Sequence, residues 1–470
     1  MELEHLRRQI EDWIRLHRED AVNLTQQLVQ APSLIGQEQK VQELIAANLR
    51  EMDLDVDMWE PDGEQLAKHA YFCAQRTDFT GSPNVVGVWK TQALQPGGHS
   101  LILNGHIDVV PVGDVSQWDD DPFSGKVDGN RLYGRGSTDM KGGIASSLMA
   151  VRCLKELGVK LAGDVIVQSV MEEESGGAGT LATLLRRYRA DAAVIPEPTN
   201  LKIFPKQQGS MWFRIRVKGL SAHGGTRYEG VSAIEKSQTI LNGIWELERL
   251  RNERITEPLY RDTPIPIPIN VGKVQGGNWP SSVPDEVVIE GRMGVAPDEK
   301  PEDARAELER QIADMAANDE WMKDNPPGVE WFGAVWLPGQ MDSGHSLLAA
   351  LQQSCQQVLE VEPIVEASPW GTDGGLLEKV GGIPTVVFGP GVTGVAHFPN
   401  EYVEIDKVLQ TASVLALTMV SYCGVVDEGG TNRGAASYGV VCTDGLLSGV
   451  ERDKLENQEG PSNFLRKNCI

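Results

Sequence analysis

The sequence predicts an α/β fold, a mostly parallel sheet covered by helices with an inserted α+β lid, and three observations carry that expectation. The short runs Asn84–Trp89, Leu101–Leu103, Val165–Val170 and Ala192–Ile195 are almost continuously apolar, as strands buried on both faces must be. Helical patterns such as Gly143–Leu157 and Leu181–Arg189 fall between them, the alternation that builds parallel sheets. Near residue 209 the pattern switches: Met211, Phe213, Ile215 and Val217 alternate with Trp212, Arg214, Arg216 and Lys218, a strand with one face in water.

In chain order, Leu6, Ile10, Trp13, Ile14 and Leu24 recur at helical spacing over 6–30, and Pro32 helps stop that helix. A second amphipathic helix is expected over Gln37–Met52, on Val41, Leu44, Ile45 and Leu49. After the strand at 211–218 come a helix near Val231–Leu250, the proline-rich Pro264–Pro268, a strand pair around Val287–Val295 and a helix near Pro301–Ala316. From Ser346 the α/β character returns: Leu347–Leu359 reads as helix, Thr385–Phe388 as strand and Ile405–Met419 as helix. The expected organisation is a catalytic domain in two parts, 1–207 and 331–426, interrupted by a lid and dimerisation domain at 208–330. Residues 427–470 lack periodicity and are expected to form a poorly ordered tail.

Composition narrows the function. A chain of 470 residues is long enough for two or three domains at about 150 residues each. Its net charge of −24 argues against a phosphate-backbone partner, so no nucleic acid is expected. No apolar run reaches the ~20 residues of a membrane span, and the first residues carry no secretory pattern. The six cysteines are dispersed without a C-x-x-C pair, so neither a disulfide framework nor a thiolate zinc site is expected, and the location is expected to be cytoplasmic.

Ligand-type side chains gather just past predicted strand ends, where open α/β sheets bind ligands. Leu101–Leu103 leads to His106 and Asp108, which share one face of an extended segment. Asp139 lies in the glycine-flanked loop Gly134–Gly143, whose spacing matches neither phosphate-binding nor dinucleotide patterns. Val165–Val170 runs into Glu172, Glu173 and Glu174, like charges that repel unless a cation sits among them. Glu197 follows Ala192–Ile195 between two prolines, and His397 follows the glycine-rich turn after Thr385–Phe388. Imidazole with carboxylate suits zinc or its neighbours. Two metals need a bridging carboxylate, for which Asp139 is chosen, and one carboxylate kept free to move protons, which the triple Glu supplies.

These motifs, His106-x-Asp108, Gly-Arg-Gly-x-x-Asp139-Met-Lys-Gly-Gly, Glu173-Glu174-x-Gly-Gly, Glu197-Pro-Thr and His397-x-x-Asn-Glu, resemble in content and order the metallopeptidase family of acetylornithine deacetylase, succinyl-diaminopimelate desuccinylase, aminoacylase and glutamate carboxypeptidase. The resemblance spans about residues 5–425. It implies a metal-dependent hydrolase cleaving an amide of an N-acyl amino acid through a metal-bridging water, or alternatively a dipeptidase or carboxypeptidase. It also implies two Zn2+ per chain, with Co2+ or Mn2+ as substitutes, and a homodimer formed through the lid.

By the same resemblance His106, Asp139 and Glu197 would hold one metal, and Asp139, Glu174 and His397 the other. Which of Glu197 and His397 shares a metal with His106 stays open, because the last ligand differs between the two ions. Glu173 would be the general base, and Asp108 would orient His106. His223 in the lid would reach a partner's site to stabilise the oxyanion, and Asn270 and Arg292 would bind the substrate carboxylate. Three glutamates stand where the family has Asp-Glu-Glu, so the register is taken from Gly176-Gly177; a slip would exchange the roles of Glu172, Glu173 and Glu174.

Overall fold

A computed structural model describes residues 2–91 and 98–426; the expected tail at 427–470 lies outside them. The centre is a mixed sheet in the order Asp55–Trp59, Asn84–Trp89, Val165–Val170, Leu101–His106, Ala192–Ile195, Thr385–Val387, Ile203–Gln207, Gly339–Gln340, with Val365–Ser368 also paired to Ile203–Gln207. The four middle strands, from Val165–Val170 to Thr385–Val387, are mutually parallel. Strands flanking them run antiparallel. Every residue of Leu101–His106 and Val165–Val170 is buried, which accounts for their continuous apolar runs.

Helices cover both faces of this sheet, the larger apolar core lying on one of them. Gly142–Glu156 contributes Ile144, Leu148 and Val151, and Ile405–Cys423 contributes Val408, Leu415 and Met419. The helix expected over 6–30 is two helices, Glu2–Leu16 and Arg18–Gln30. The break falls at His17, whose ring stacks on Trp13 at 3.8 Å and bonds the Trp13 carbonyl through Nδ1 at 2.8 Å. A ring bonded to its own helix's backbone holds His17 at φ −98°, ψ 27°, outside helical geometry.

Residues beyond 208 form a second sheet, antiparallel, ordered Ile269–Gly276, Glu286–Val295, Gly209–Lys218, Gly328–Trp336. The helices Ala233–Glu253 and Pro301–Ala317 pack on one face of it around Phe213, Ile215, Ile240, Ile289 and Leu308, a core of its own. The sequence pattern shows the two inner strands and both helices. It does not show the edge strands Ile269–Gly276 and Gly328–Trp336, because an edge strand buries little and so needs no strict apolar alternation. Among the described residues no helix is long and apolar enough to cross a membrane.

The parallel strands end on the same side, so the loops after Leu101–His106, Val165–Val170 and Ala192–Ile195 are neighbours there. Gly143 lets the first turn of Gly142–Glu156 lie directly against the Pro196 carbonyl, just ahead of Glu197; a Cβ at 143 would collide with that backbone oxygen. Gly143→Ala is therefore expected to lower stability by about 2–3 kcal/mol, measured by denaturant unfolding, through displacement of the Pro196 backbone.

Candidate active site

Each ligand-type side chain is set by its own local backbone. His106 ends the strand Leu101–His106 and is fully buried. Its Nδ1–H donates to the Asp108 carbonyl at 2.9 Å; a carbonyl only accepts, so Nε2 is the atom left to face the site. Nε2 lies 3.1 Å from Asp139 Oδ1 and 3.6 Å from Glu197 Oε1. His397, in left-handed backbone at φ 66°, presents Nε2 3.3 Å from Asp139 Oδ2 and 3.1 Å from Glu174 Oε1. The two oxygens of Asp139 thus face different imidazoles.

The orienting interaction expected from the Asp108 side chain comes instead from its backbone. The Asp108 carboxylate stands 3.7 Å from the His106 ring and accepts the backbone N–H groups of Glu173, at 3.2 Å, and Glu174, at 3.1 Å. Asp108 therefore couples the His106 strand to the glutamate loop. Glu173 is buried, and its Oε1 accepts the indole N–H of Trp336 at 3.0 Å. The cation among the three glutamates is, for Glu172, the guanidinium of Arg76, which also bonds Ser82 at 2.9 Å; Ser175 donates to Glu172 as well. With Glu172 engaged on the Arg76 side, Glu173 and Glu174 are the pair that faces the two imidazoles.

Several further contributors lie inside the quoted motifs but had no role assigned from the sequence. Arg135 and Glu401 form a buried ion pair at 2.6 Å. Glu401 also accepts the N–H groups of Thr138, at 3.0 Å, and Asp139, at 3.2 Å, while Arg135 donates to the His397 carbonyl at 3.2 Å. This pair ties the Asp139 loop to the His397 turn. Lys141 is buried and donates to the carbonyls of Leu28 and Ala31 at 2.8 and 3.0 Å. Both Arg135 and Glu401 lie inside the quoted motifs, but only the fold shows that they face each other.

Ligand atoms of His106, Glu173 and Glu197 lie within 4.8 Å of one another, and so do those of His106, Asp139 and Glu174. The electrostatics are those of a cation site. Burial pushes Glu197 up to about 8, with Asp139 adding to it against the pull of His106. Burial likewise raises Asp108 to about 8 and carries Glu173 well above the carboxylate range. Burial opposes the charged form of His397, but hydrogen bonds to Asp139 and Glu174 outweigh it and push the ring up to about 11. Buried carboxylates held this close must keep protons unless a cation takes their place, and imidazole with carboxylate is the donor set of zinc and its neighbours.

A cleft of about 620 Å³ opens onto the cluster, bordered by Asp139, Glu173, Glu174, Glu197 and His397 and also by Arg292 and Trp212. Burial lowers the Arg292 guanidinium to about 10. The other two expected lid contacts are elsewhere. His223 is exposed, and its Nδ1 accepts the Gly225 N–H at 3.1 Å. Asn270 is exposed on the edge strand, in register with Arg292 but bordering a separate groove with Trp245. Neither lines this cleft.

Comparison with known proteins follows the same lines. Residues 102–421 match the peptidase family M20/M25/M40. The chain is 32% identical to N-formyl-4-amino-5-aminomethyl-2-methylpyrimidine deformylase of Bacillus subtilis (strain 168), over 87% of this chain and 95% of that protein. It is 30% identical to acetylornithine deacetylase of Edwardsiella ictaluri (strain 93-146), over 70% and 81% of the two chains. Its fold matches that of the dipeptidase Dug1p of Saccharomyces cerevisiae, with a TM-score of 0.70 at 15% identity, covering 89% of this chain and 99% of the other.

The raised acids dictate a pH response when metal is stripped. A carboxyl whose folded pKa exceeds its unfolded value, as for Glu197 and Asp108 at about 8, stabilises the fold at low pH and loses that contribution as pH rises through about 8. His397, raised to about 11, acts in the same direction. The gap in melting temperature between metal-loaded and chelator-treated protein should therefore widen between about pH 6 and pH 8.5. A gap that narrows over that range in calorimetry contradicts a cation site here.

Proposed function

The chain belongs to peptidase family M20/M25/M40, a metal-dependent hydrolase of amides, and from that premise we propose that it removes a small acyl group from the nitrogen of a low-molecular-weight amine. Acetyl and formyl are the groups named for its curated relatives. The observation that carries the reading is Asp139, turning one oxygen to His106 and the other to His397 beside Glu173, whose carboxylate is held by an indole.

In this reading His106, Asp139 and Glu197 hold one Zn2+, and Asp139, Glu174 and His397 hold a second; Co2+ or Mn2+ would suit the same donors. The contact between His106 and Glu197, and that between His397 and Glu174, support this division over the reverse. Such ions, when bound, lower the pKa of water toward neutrality and polarise the amide carbonyl. Glu173 takes the proton from the attacking water and returns it to the departing nitrogen. Its burial and raised affinity for a proton suit both halves of that transfer. Asp108 holds the Glu173–Glu174 backbone in place, and Trp336 fixes which oxygen of Glu173 stays free.

Arg292, without a carboxylate partner among the described residues, faces the cleft as an anchor for an acceptor on the substrate. That same guanidinium would suit the terminal carboxylate of a peptide, which favours a dipeptidase or carboxypeptidase as the second reading. His223 and Asn270, lying outside their own chain's cleft, have roles only in a homodimer, where His223 would donate to the developing oxyanion in the partner's site. Exposed Val274 in the edge strand Ile269–Gly276, with Trp245 and Ile265 bordering the same groove, supports an interface there. The free thiols Cys73, Cys153, Cys355 and Cys423 fit a cytoplasmic protein.

Glu173→Gln should keep two metals per chain by elemental analysis while amide hydrolysis falls about 10²–10⁴-fold. Near-native turnover would remove Glu173 from the role of base. Trp245→Lys should shift sedimentation toward the monomer and reduce turnover with it; a variant that stays dimeric argues for a different interface.

A further inference from the structure

The proposed hydrolase reading leaves the departing amine undefined, and one wall of the cleft bears on it. Three half-buried tryptophans line it, each from a different segment: Trp212 in Gly209–Lys218, Trp336 at the end of Gly328–Trp336, and Trp370 after Val365–Ser368. Resting on that reading, we propose that this wall is a ring subsite, and that the amine released by the enzyme carries a flat aromatic or heteroaromatic ring one short link from the scissile nitrogen.

The rings are held rigidly. Trp212 and Trp336 meet at 6.2 Å with planes inclined by 51°, a corner rather than a slot, so a ligand ring lies on one face and meets the edge of the other. Trp212 is backed by Phe332 at 6.0 Å, edge to face. Trp370 packs edge-on against Phe204 at 5.8 Å, and its turn is closed by Ser368, which donates to the Trp370 carbonyl at 2.8 Å. Preorganised aromatic surface of this kind binds flat groups with little ordering cost. An unbranched aliphatic amine would leave most of it facing water.

The position of the wall sets the length of the link. The indole N–H of Trp336 is bonded to Glu173 Oε1 at 3.0 Å, so a ring lying on that indole is one side chain away from the base. The nitrogen that receives the proton from Glu173 must then sit within about one carbon of the ring, as in an arylmethylamine or an aromatic α-amino acid. Arg292, in register with Trp212 on the adjacent strand, supplies donors beside the ring. Its acceptor is either a ring nitrogen or the carboxylate of an aromatic amino acid; both present a planar acceptor to a guanidinium. The bond chemistry is plain hydrolysis. Water adds across the C–N bond, its oxygen passing to the acyl carbon and leaving as carboxylate, while the amine nitrogen gains the proton delivered by Glu173.

The test uses the full-length, metal-loaded protein with N-formyl derivatives of an aminomethylpyrimidine, benzylamine, L-phenylalanine and n-butylamine, together with N-acetylornithine. At least one ring substrate should exceed the butyl compound in kcat/KM by ~10-fold or more. A preference for the pyrimidine identifies a ring nitrogen as the partner of Arg292, and a preference for phenylalanine identifies a carboxylate. Trp370→Ala should collapse the ring-to-butyl ratio mainly through KM, and Trp370→Phe should restore it. Equal turnover of ring and butyl substrates, or an unchanged ratio in Trp370→Ala, overturns the ring subsite while leaving the hydrolase reading intact. Binding is read separately by quenching of indole fluorescence with benzylamine against n-butylamine. Preferential quenching by benzylamine in a protein that cleaves none of these amides supports the subsite and overturns the deacylase reading. No preference in that case overturns both.

Discussion

The architecture of this protein is governed by the cost of burying negative charge. Glu172, Glu173, Glu197, Asp108 and Glu401 are all buried at one end of a sheet, with Asp139 and Glu174 among them. Anions so placed are tolerable only with specific partners. Arg76 takes Glu172, Arg135 takes Glu401, backbone N–H groups take Asp108, and the two imidazoles face Asp139. What remains, Glu173, Glu174 and Glu197 gathered around the imidazoles, is a deficit of positive charge confined to one place. That deficit is the functional feature. A divalent cation would relieve it, and without one the buried carboxylates keep protons.

The division of labour among the partners explains why so many polar groups surround so few reacting ones. The ion pair between Arg135 and Glu401 never faces the cleft, yet it holds the Asp139 loop by two backbone bonds and the His397 turn by a third. Asp108 does the same for the glutamate loop. Ligands arriving from separate strand ends must agree to fractions of an ångström, and these buried bonds transmit the sheet's rigidity to them. The second sheet contributes differently. It delivers Arg292 and Trp212 to the cleft from neighbouring positions on paired strands, away from the strand ends that carry the acidic cluster.

Much of this was legible in the chain. Strands buried on both faces need mostly apolar runs, and Asn84–Trp89, Val165–Val170 and Ala192–Ile195 have the expected bounds while the strand expected at Leu101–Leu103 runs on to His106. Candidate ligand residues were recognisable because imidazole and carboxylate at strand ends, flanked by glycine and proline, have few structural uses. Where expectation and structure part, local chemistry is the reason. The first helix is interrupted by a ring bonded to its own backbone, and Asp108 serves through its carbonyl toward His106 and through its carboxylate toward another loop.

Sequence by itself determined the main helices, the buried strands at the middle of the central sheet and the set of groups able to ligate or transfer protons, since these depend on side-chain polarity at short range. Tertiary structure alone decided the pairings: that Arg76 rather than a metal neutralises Glu172, that Glu197 sits with His106 and Glu174 with His397, and that Trp336 holds Glu173. It also decided that His223 and Asn270 lie away from the cleft while Arg292 lines it. Coulomb and hydrogen-bond energies depend on distance through space, and residues far apart in the chain acquire that distance only when the strands carrying them are laid side by side.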